Sequence, residues 1–302
     1  SALSELDSDD AVEVLEEMDE AQQRAVLDHI PDEERTLIEE SLSYPDDSAG
    51  RLMQREIVTV PSHWNVGQCI DFVRRIAEED EAANRELSRR GADWILANTT
   101  TRPLRILTHC NTGSLATTAW GTALGIIREL HLRGDVEQVY ADETRPLLQG
   151  SRLTSWELTQ DQIPHVIQSD GAAASTILRS LVDVAIIGAD RIARNGDTAN
   201  KIGSVSVALA CHAAGIPFVV AAPSSTVDLS TASGDEIEIE LRDGSEVTSI
   251  GGVQVAPAGA QGFNPAFDVT PAALVTALIT ERGICSASTE GLAGLYPEHA
   301  SA

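Results

Sequence analysis

A thiol and a carboxylate, each placed where an apolar run gives way to glycine and small polar residues, are the features of this chain best suited to chemistry. Cys110 closes the run ILTHC and is followed by NTGS, and Asp190 follows the apolar VAIIG in IIGADRI. A thiol beside a helix N-terminus has a lowered pKa and acts as a nucleophile or as a proton donor and acceptor. The NTGS loop reads as opening such a helix, whose free N–H groups favour an anion. A carboxylate held in an enclosed cleft has a raised pKa and can both give and take protons. The plainer alternatives are a buried structural cysteine for Cys110, and a helix cap or an ion pair with Arg191 for Asp190. The polar loops at both positions favour chemistry. His109 precedes the thiol, but neighbours on a strand point to opposite faces, so a distant carboxylate is the better partner.

Further polar residues gather at comparable places. VEQVY runs into ADETRPLLQGSR, and FVVAA runs into PSST. Glu143, Arg145, Gln149, Arg152, Asn200 and Lys201 are the candidate ligands for a phosphorylated small molecule. Lys201 stands out because it is the chain's one lysine; every other basic residue is arginine. A compact ammonium with rotatable donors is not replaced by a planar guanidinium where geometry is tight.

These residues need a scaffold. Apolar runs at 105–110, 136–141, 165–168, 182–187 and 218–222 read as strands, with helices between them, as in LATTAWGTALGIIRELHLRG and NKIGSVSVALACHAAG. Strand and helix in alternation predict an α/β fold, a Rossmann-like parallel sheet with helices on both faces, binding ligands at the carboxyl ends of its strands. EEDEAANRELSRRGADWILAN reads as one helix. Residues 1–42 read as short acidic helices, followed by a Pro/Asp/Ser/Gly turn, a strand-like EIVTV and an amphipathic helix start. The expected organisation is an acidic helical module over 1–75, a linking helix over 76–101, and a Rossmann-like domain over 102–302.

Composition narrows the function classes. With 21 basic and 47 acidic residues the net charge is -26, which disfavours nucleic acid, since phosphate neutralisation needs clustered Lys and Arg. No run approaches the roughly 20 apolar residues of a membrane span, and the acidic SALSELDSDD is unlike a signal peptide, so a cytoplasmic protein is expected. Cys69, Cys110, Cys211 and Cys285 lie far apart with no CxxC pair, which points to free thiols and to no metal site.

The motifs together resemble a known family. ILTHCNTGSLAT, YADETRPLLQGSRLTSWEL, VAIIGADRIARNGDTANKIGS, GIPFVVAAPSSTVD and FNPAFDVTPAALVTALITERG, in this order, are similar to the motifs of methylthioribose-1-phosphate isomerases. Those enzymes share their fold with ribose-1,5-bisphosphate isomerases and with the regulatory subunits of translation initiation factor 2B. The resemblance implies a homodimeric aldose–ketose isomerase of methionine salvage that needs no cofactor and converts 5-methylthioribose-1-phosphate to 5-methylthioribulose-1-phosphate. It assigns proton transfer to Cys110 and Asp190, and contact with the phosphorylated pentose to Gln149, Asn200 and Lys201. Ribose-1,5-bisphosphate isomerase, or a non-catalytic sugar-phosphate or nucleotide sensor, is the alternative. The family's N-terminal RGAP-type loop, whose arginine holds the phosphate, has no counterpart in these residues, so weakened activity is expected. Residues 1–75 instead resemble, through LSYPDDSAGRLM and VTVP followed by WNVGQCIDFVRR, the cytoplasmic N-domain and first CBS segment of MgtE-type magnesium transporters.

Overall fold

Side chains alternate across a strand, and the central apolar runs use that alternation to build two cores, one on each face of a sheet. The computed structural model describes residues 66–299, with Gln23, Val26 and Arg35 at isolated helical positions. The acidic helices, the turn and the EIVTV strand expected before residue 66 lie outside the described residues. The chain divides into two compact units between Phe72 and Val73, and the following concerns the second.

Helix α1 (Val66–Asn98) leads into β1 (Leu104–Thr108), α2 (Ala123–Leu132) and β2 (Val136–Asp142). A π-helical turn over 150–154 then passes directly into α3 (Ser155–Gln160) and β3 (His165–Gln168). Next come α4 (Ala173–Leu178), β4 (Val184–Ile187), β5 (Arg191–Ala193), β6 (Thr198–Lys201), α5 (Ser204–Ala214), β7 (Phe218–Ala221) and β8 (Val227–Asp228). A long excursion carries α6 (Ser245–Thr248) and the hairpin β9 (Ser249–Ile250) and β10 (Val253–Gln254). It returns as β11 (Phe267–Thr270), followed by β12 (Ala277–Ile279), β13 (Ile284–Cys285) and α7 (Thr289–Leu295).

The main sheet has seven strands in the order β13-β12-β7-β4-β1-β2-β3, parallel throughout except for β13. The α/β class with helices on both faces holds. Ile106, Val184 and Ile186 face one core with Leu87 and Ile95 of α1 and Ile126 and Leu130 of α2. Leu107, Ala185 and Ile187 face the other with Ile177 of α4, Val207 and Cys211 of α5 and Leu292 of α7. Burial on this scale is the main stabilising term in such a domain. At Gly91 of α1 a Cβ would come within 2.4 Å of Ile126, so the missing side chain lets α1 and α2 approach closely.

A smaller four-stranded sheet, β11-β6-β5-β8, was not expected from the sequence. Two helix readings are overturned, the first by this sheet. NKIG does not open the helix: Asn200 and Lys201 end β6, and α5 starts at Ser204. LATTAWGT is irregular, with Trp120 at φ 69° and Gly121 at φ 84°, so α2 starts only at Ala123.

Candidate active site

Beyond β1 the chain turns out of the sheet at Cys110, and beyond β4 it does so at Asp190. These strands are neighbours, with Ile106 opposite Val184 and Leu107 opposite Ala185. On one side of this junction the connections run outward through β2 and β3, on the other through β7 and β12. It is therefore the topological switch point, where an open α/β sheet leaves a crevice for ligands. Gly188 lets the two exits close up, since a Cβ there would overlap Thr112.

The exits are held by hydroxyls and carboxylates. Cys110 adopts φ 65° and Thr144 φ 64°, a left-handed conformation rare outside glycine that persists only where the surroundings fix it. The Cys110 N–H donates to Thr144 Oγ1 at 2.9 Å, and the Cys110 carbonyl accepts from Thr154 Oγ1 at 2.6 Å. Asp170 in turn accepts the N–H groups of Thr144 at 2.7 Å and Arg145 at 2.6 Å.

The NTGS loop does not begin a helix that awaits an anion. Its anion is the protein's own: Glu157, 1% exposed, accepts from the N–H of Ser114 at 2.7 Å and of Leu115 at 3.3 Å. Glu157 also takes Ser114 Oγ at 2.6 Å, Asn111 Nδ2 at 2.9 Å and Arg128 at 2.7 Å. Burial works against its charge, but these donors win and hold its carboxyl below the usual value. The expectation of a depressed thiol pKa fails with the helix. Burial, reinforced by the charge of Asp190, pushes Cys110 up to about 11, against the opposing pull of the Asn111 N–H and Lys201. At neutral pH Cys110 is a thiol, hence a proton donor.

Asp190 is exposed to water rather than enclosed as the sequence suggested, although enough protein packs near its carboxyl to count against its charge. Burial raises its carboxyl, and Lys201 and Arg242 pull it back. Lys201 is 5% exposed, with Nζ 5.0 Å above the Phe267 ring. Burial and Arg242 lower its pKa, while Cys110, Asp190 and Glu240 raise it. Cys110, Asp190 and Lys201 thus lie within electrostatic reach of one another, around the recess that a switch point leaves. Asn200 sits beside them, 2% exposed, its amide donating to Ser204 Oγ at 2.8 Å. Gln149 heads the π-helical turn, and its Oε1 is buried with no protein partner among the described residues. Arg145 and Arg152 donate to the carbonyls of Val247 at 2.9 Å and Leu147 at 3.1 Å.

Arg242 is the residue that sequence reasoning missed. It arrives on the excursion after β8, where residues 240–242 lie along 264–266 through Arg242 N–H to Asn264 O at 2.9 Å and Ala266 N–H to Glu240 O at 2.9 Å. Ala266 precedes β11, whose Phe267 pairs with Lys201. Arg242 is thereby set beside the lysine, its Nε bonded to Glu240 at 2.7 Å.

The model of the initiation factor 2 subunit family (IF-2B) matches residues 8–287. The chain belongs to this family. A methylthioribose-1-phosphate isomerase of Syntrophotalea carbinolica is 50% identical over 243 residues, covering 80% of this chain and 69% of that protein. A probable bifunctional methylthioribose-1-phosphate isomerase/methylthioribulose-1-phosphate dehydratase of Nocardia farcinica is 52% identical over 74% of this chain and 43% of its own length. The isomerase of Gloeobacter violaceus is 55% identical over 63% of this chain and 55% of its own. The chain therefore spans only about half to two thirds of the length of these relatives. Among solved structures, the 5-methylthioribose 1-phosphate isomerase of Pyrococcus horikoshii superposes with a TM-score of 0.72 at 32% identity, over 97% of this chain and 82% of that one. The initiation factor eIF-2B delta subunit of A. fulgidus gives 0.72 and 32% over 96% and 80%. The IF-2B match begins at residue 8 and so includes most of residues 1–75, where the sequence alone suggested a magnesium-transporter module.

Proposed function

We propose that this member of the IF-2B family is an aldose–ketose isomerase acting on a phosphorylated pentose, 5-methylthioribose-1-phosphate, in methionine salvage. The observation that carries this reading is an acid beside a base at the switch point. Cys110 keeps its proton at neutral pH, while Asp190, whose pKa burial raises against the pull of Lys201 and Arg242, is the group that takes one. In the reaction a furanose whose anomeric carbon bears phosphate opens and hydrogen moves from C2 to C1. Cys110 protonates the ring oxygen as its bond to C1 breaks, the C2 hydrogen passes to C1 with its electron pair, Asp190 takes the C2 hydroxyl proton as the ketone forms and returns it through water to the Cys110 thiolate, and Lys201 with Arg242 neutralises the phosphate. Gln149 offers its unpartnered Oε1 to a sugar hydroxyl, and Asn200 fixes the strand end from which Lys201 projects.

Arg242 bears on the phosphate arginine that the 302 residues do not supply in an RGAP-type loop. Losing one charge-assisted contact costs about 1.5–3 kcal/mol, and a second cation from the excursion offsets part of it. The recess needs no metal or organic cofactor for this chemistry. The chain's overall excess of acid over base disfavours nucleic acid as a partner, and among the described residues no helix is long and apolar enough to cross a membrane. A cytoplasmic homodimer belongs to the same reading, as does a separate acidic module over residues 1–75. Magnesium binding by that module would appear as a saturable calorimetric signal lost on deleting those residues; a flat trace ends that idea.

A turnover assay on 5-methylthioribose-1-phosphate and ribose-1,5-bisphosphate, with Cys110→Ala and Lys201→Ala as controls, tests the enzyme. Product from the first substrate, lost in both variants, is expected. Binding of either sugar phosphate without turnover would instead identify a sensor, the second reading, which the equal superposition on an initiation-factor subunit favours.

A further inference from the structure

His109 is buried directly before Cys110, and both of its ring nitrogens face acceptors. Nδ1 lies 3.0 Å from Asp142 Oδ2, and Nε2 lies 2.8 Å from the Ile202 carbonyl oxygen. A carbonyl has no proton to give, so Nε2 must carry one. A neutral ring then presents a bare Nδ1 to Asp142, which satisfies it only by bearing a proton itself. Either way the pair holds one proton more than a neutral histidine beside an ionised aspartate, and the two groups titrate as a unit. Asp142 Oδ1 accepts from Gln168 Nε2 at 2.8 Å. With a donor on each oxygen, the charged arrangement is the better satisfied one.

The ring joins two parts of the recess. Ile202 follows Lys201, and Gly203, at φ 111°, opens its backbone to the ring so closely that a Cβ would lie 2.6 Å from His109 Cε1. Asp142 ends β2, immediately before the loop whose Thr144 bonds Cys110. We infer that His109 and Asp142 form a protonated positioning pair, an imidazolium on a carboxylate across neutral pH, which pins the turn carrying Lys201 to the strand end carrying Cys110.

The neighbouring charges agree. Burial lowers the affinity of His109 for its second proton, but the bond to Asp142 outweighs it, aided by the charge of Asp170, and the net shift is upward. Asp268 of β11 is the third acid near the ring, its carboxylate accepting the Gly203 N–H at 2.8 Å. Burial also raises Asp142, in keeping with a pair that gives up its proton reluctantly. The same cluster is a poor metal site. His109, Asp142 and Asp170 have ligand atoms within 4.8 Å of one another, but the Asp170 oxygens are taken by backbone N–H groups and the Asp142 oxygens by Gln168 and the ring.

Ring ¹⁵N NMR of histidine-labelled protein from pH 6 to 10 reads the protonation directly. His109 is distinguished by ring protons protected from exchange. The expected result is two protonated ring nitrogens at pH 7.5, where a histidine at its ordinary value of 6.5 is mostly neutral. In Asp142→Asn the amide can donate to Nδ1, and the ring should become the neutral tautomer with its proton on Nε2. A neutral His109 at pH 7.5 in the unaltered protein, or a doubly protonated ring in Asp142→Asn, overturns the inference. If the variant does not fold, the titration of the unaltered protein decides alone. A kinetic arm rests on the isomerase reading: KM should rise about fivefold, one hydrogen bond's worth, as pH passes the pKa read by NMR, while Asp142→Asn shows no such step. A KM with no step there also overturns the positioning role. Absence of any turnover counts against the isomerase and leaves the NMR result to judge the pair.

Discussion

Removing the acceptor at Glu157 should unfold the recess from beneath. Its two oxygens accept five hydrogen bonds: Oε1 from Asn111 and the Leu115 N–H, Oε2 from Arg128 and from both the N–H and the hydroxyl of Ser114. Glu157→Ala strands the buried Arg128 guanidinium and orphans the loop donors. Breaking one side of a buried ion pair costs about 3–5 kcal/mol. Arg128 keeps Asp161 at 2.5 Å and the Trp120 carbonyl, so about 4 kcal/mol is expected once the loop donors are included. At roughly 2–4 °C per kcal/mol for a domain of this size, Tm falls by about 8–16 °C. Glu157→Gln is the sharper variant. Its shape is unchanged, yet both oxygens face N–H or O–H donors, so either orientation of the amide sets NH₂ against them. A loss nearly as large as in the alanine variant is expected. The folded pKa lies below the ordinary 4.5, so the stabilisation is fully present above about pH 4.5 and fades as pH drops through the lowered value. The gap between the unaltered protein and Glu157→Gln should close there. Urea unfolding at pH 7.5 and at acid pH measures both effects. A Glu157→Gln protein within about 1 kcal/mol of the original at pH 7.5 would refute the reasoning.

Two further outcomes follow from the electrostatics of the recess. Alkylation of Cys110 by iodoacetamide, followed by peptide mass, should be slow at pH 7.5 and climb toward the value of about 11 set by burial; a rate that levels off below pH 8.5 contradicts the neutral-thiol assignment. Arg242→Gln should raise KM for the sugar phosphate about tenfold, the worth of one charge-assisted contact, with kcat changed far less, and unchanged KM removes Arg242 from the phosphate site.

Five of the main sheet's seven strands were legible because they are apolar runs long enough to show: the runs at 136–141, 165–168 and 218–222 became β2, β3 and β7 with at most one residue's difference, whereas β12 and β13, only three and two residues long, were not read. Placing Cys110 and Asp190 needed only the rule that ligands gather where such strands end. The second sheet was not legible. TANK and FDVT are short, polar strands with no alternation to read, and Asn200 and Lys201 were drawn into the helix that follows them. Arg242 had no local signal at all, since its place depends on backbone pairing between 240–242 and 264–266. The pKa of Cys110 was misread for a related reason. The helix expected after NTGS is absent, and the N–H groups assigned to an outside anion belong to Glu157, a residue on a different helix.

The division of the recess between two sheets gives it the mechanics of a vice. Cys110 and Asp190 form the fixed jaw, anchored to the most deeply buried strands of the chain. Lys201 and Arg242 form the other, carried on short strands and on an excursion whose tip is largely exposed. On the proposed reading, grip and chemistry are mounted on separate frames, so that changes in the excursion would retune the hold on a phosphate while Cys110 and Asp190 stay where they are.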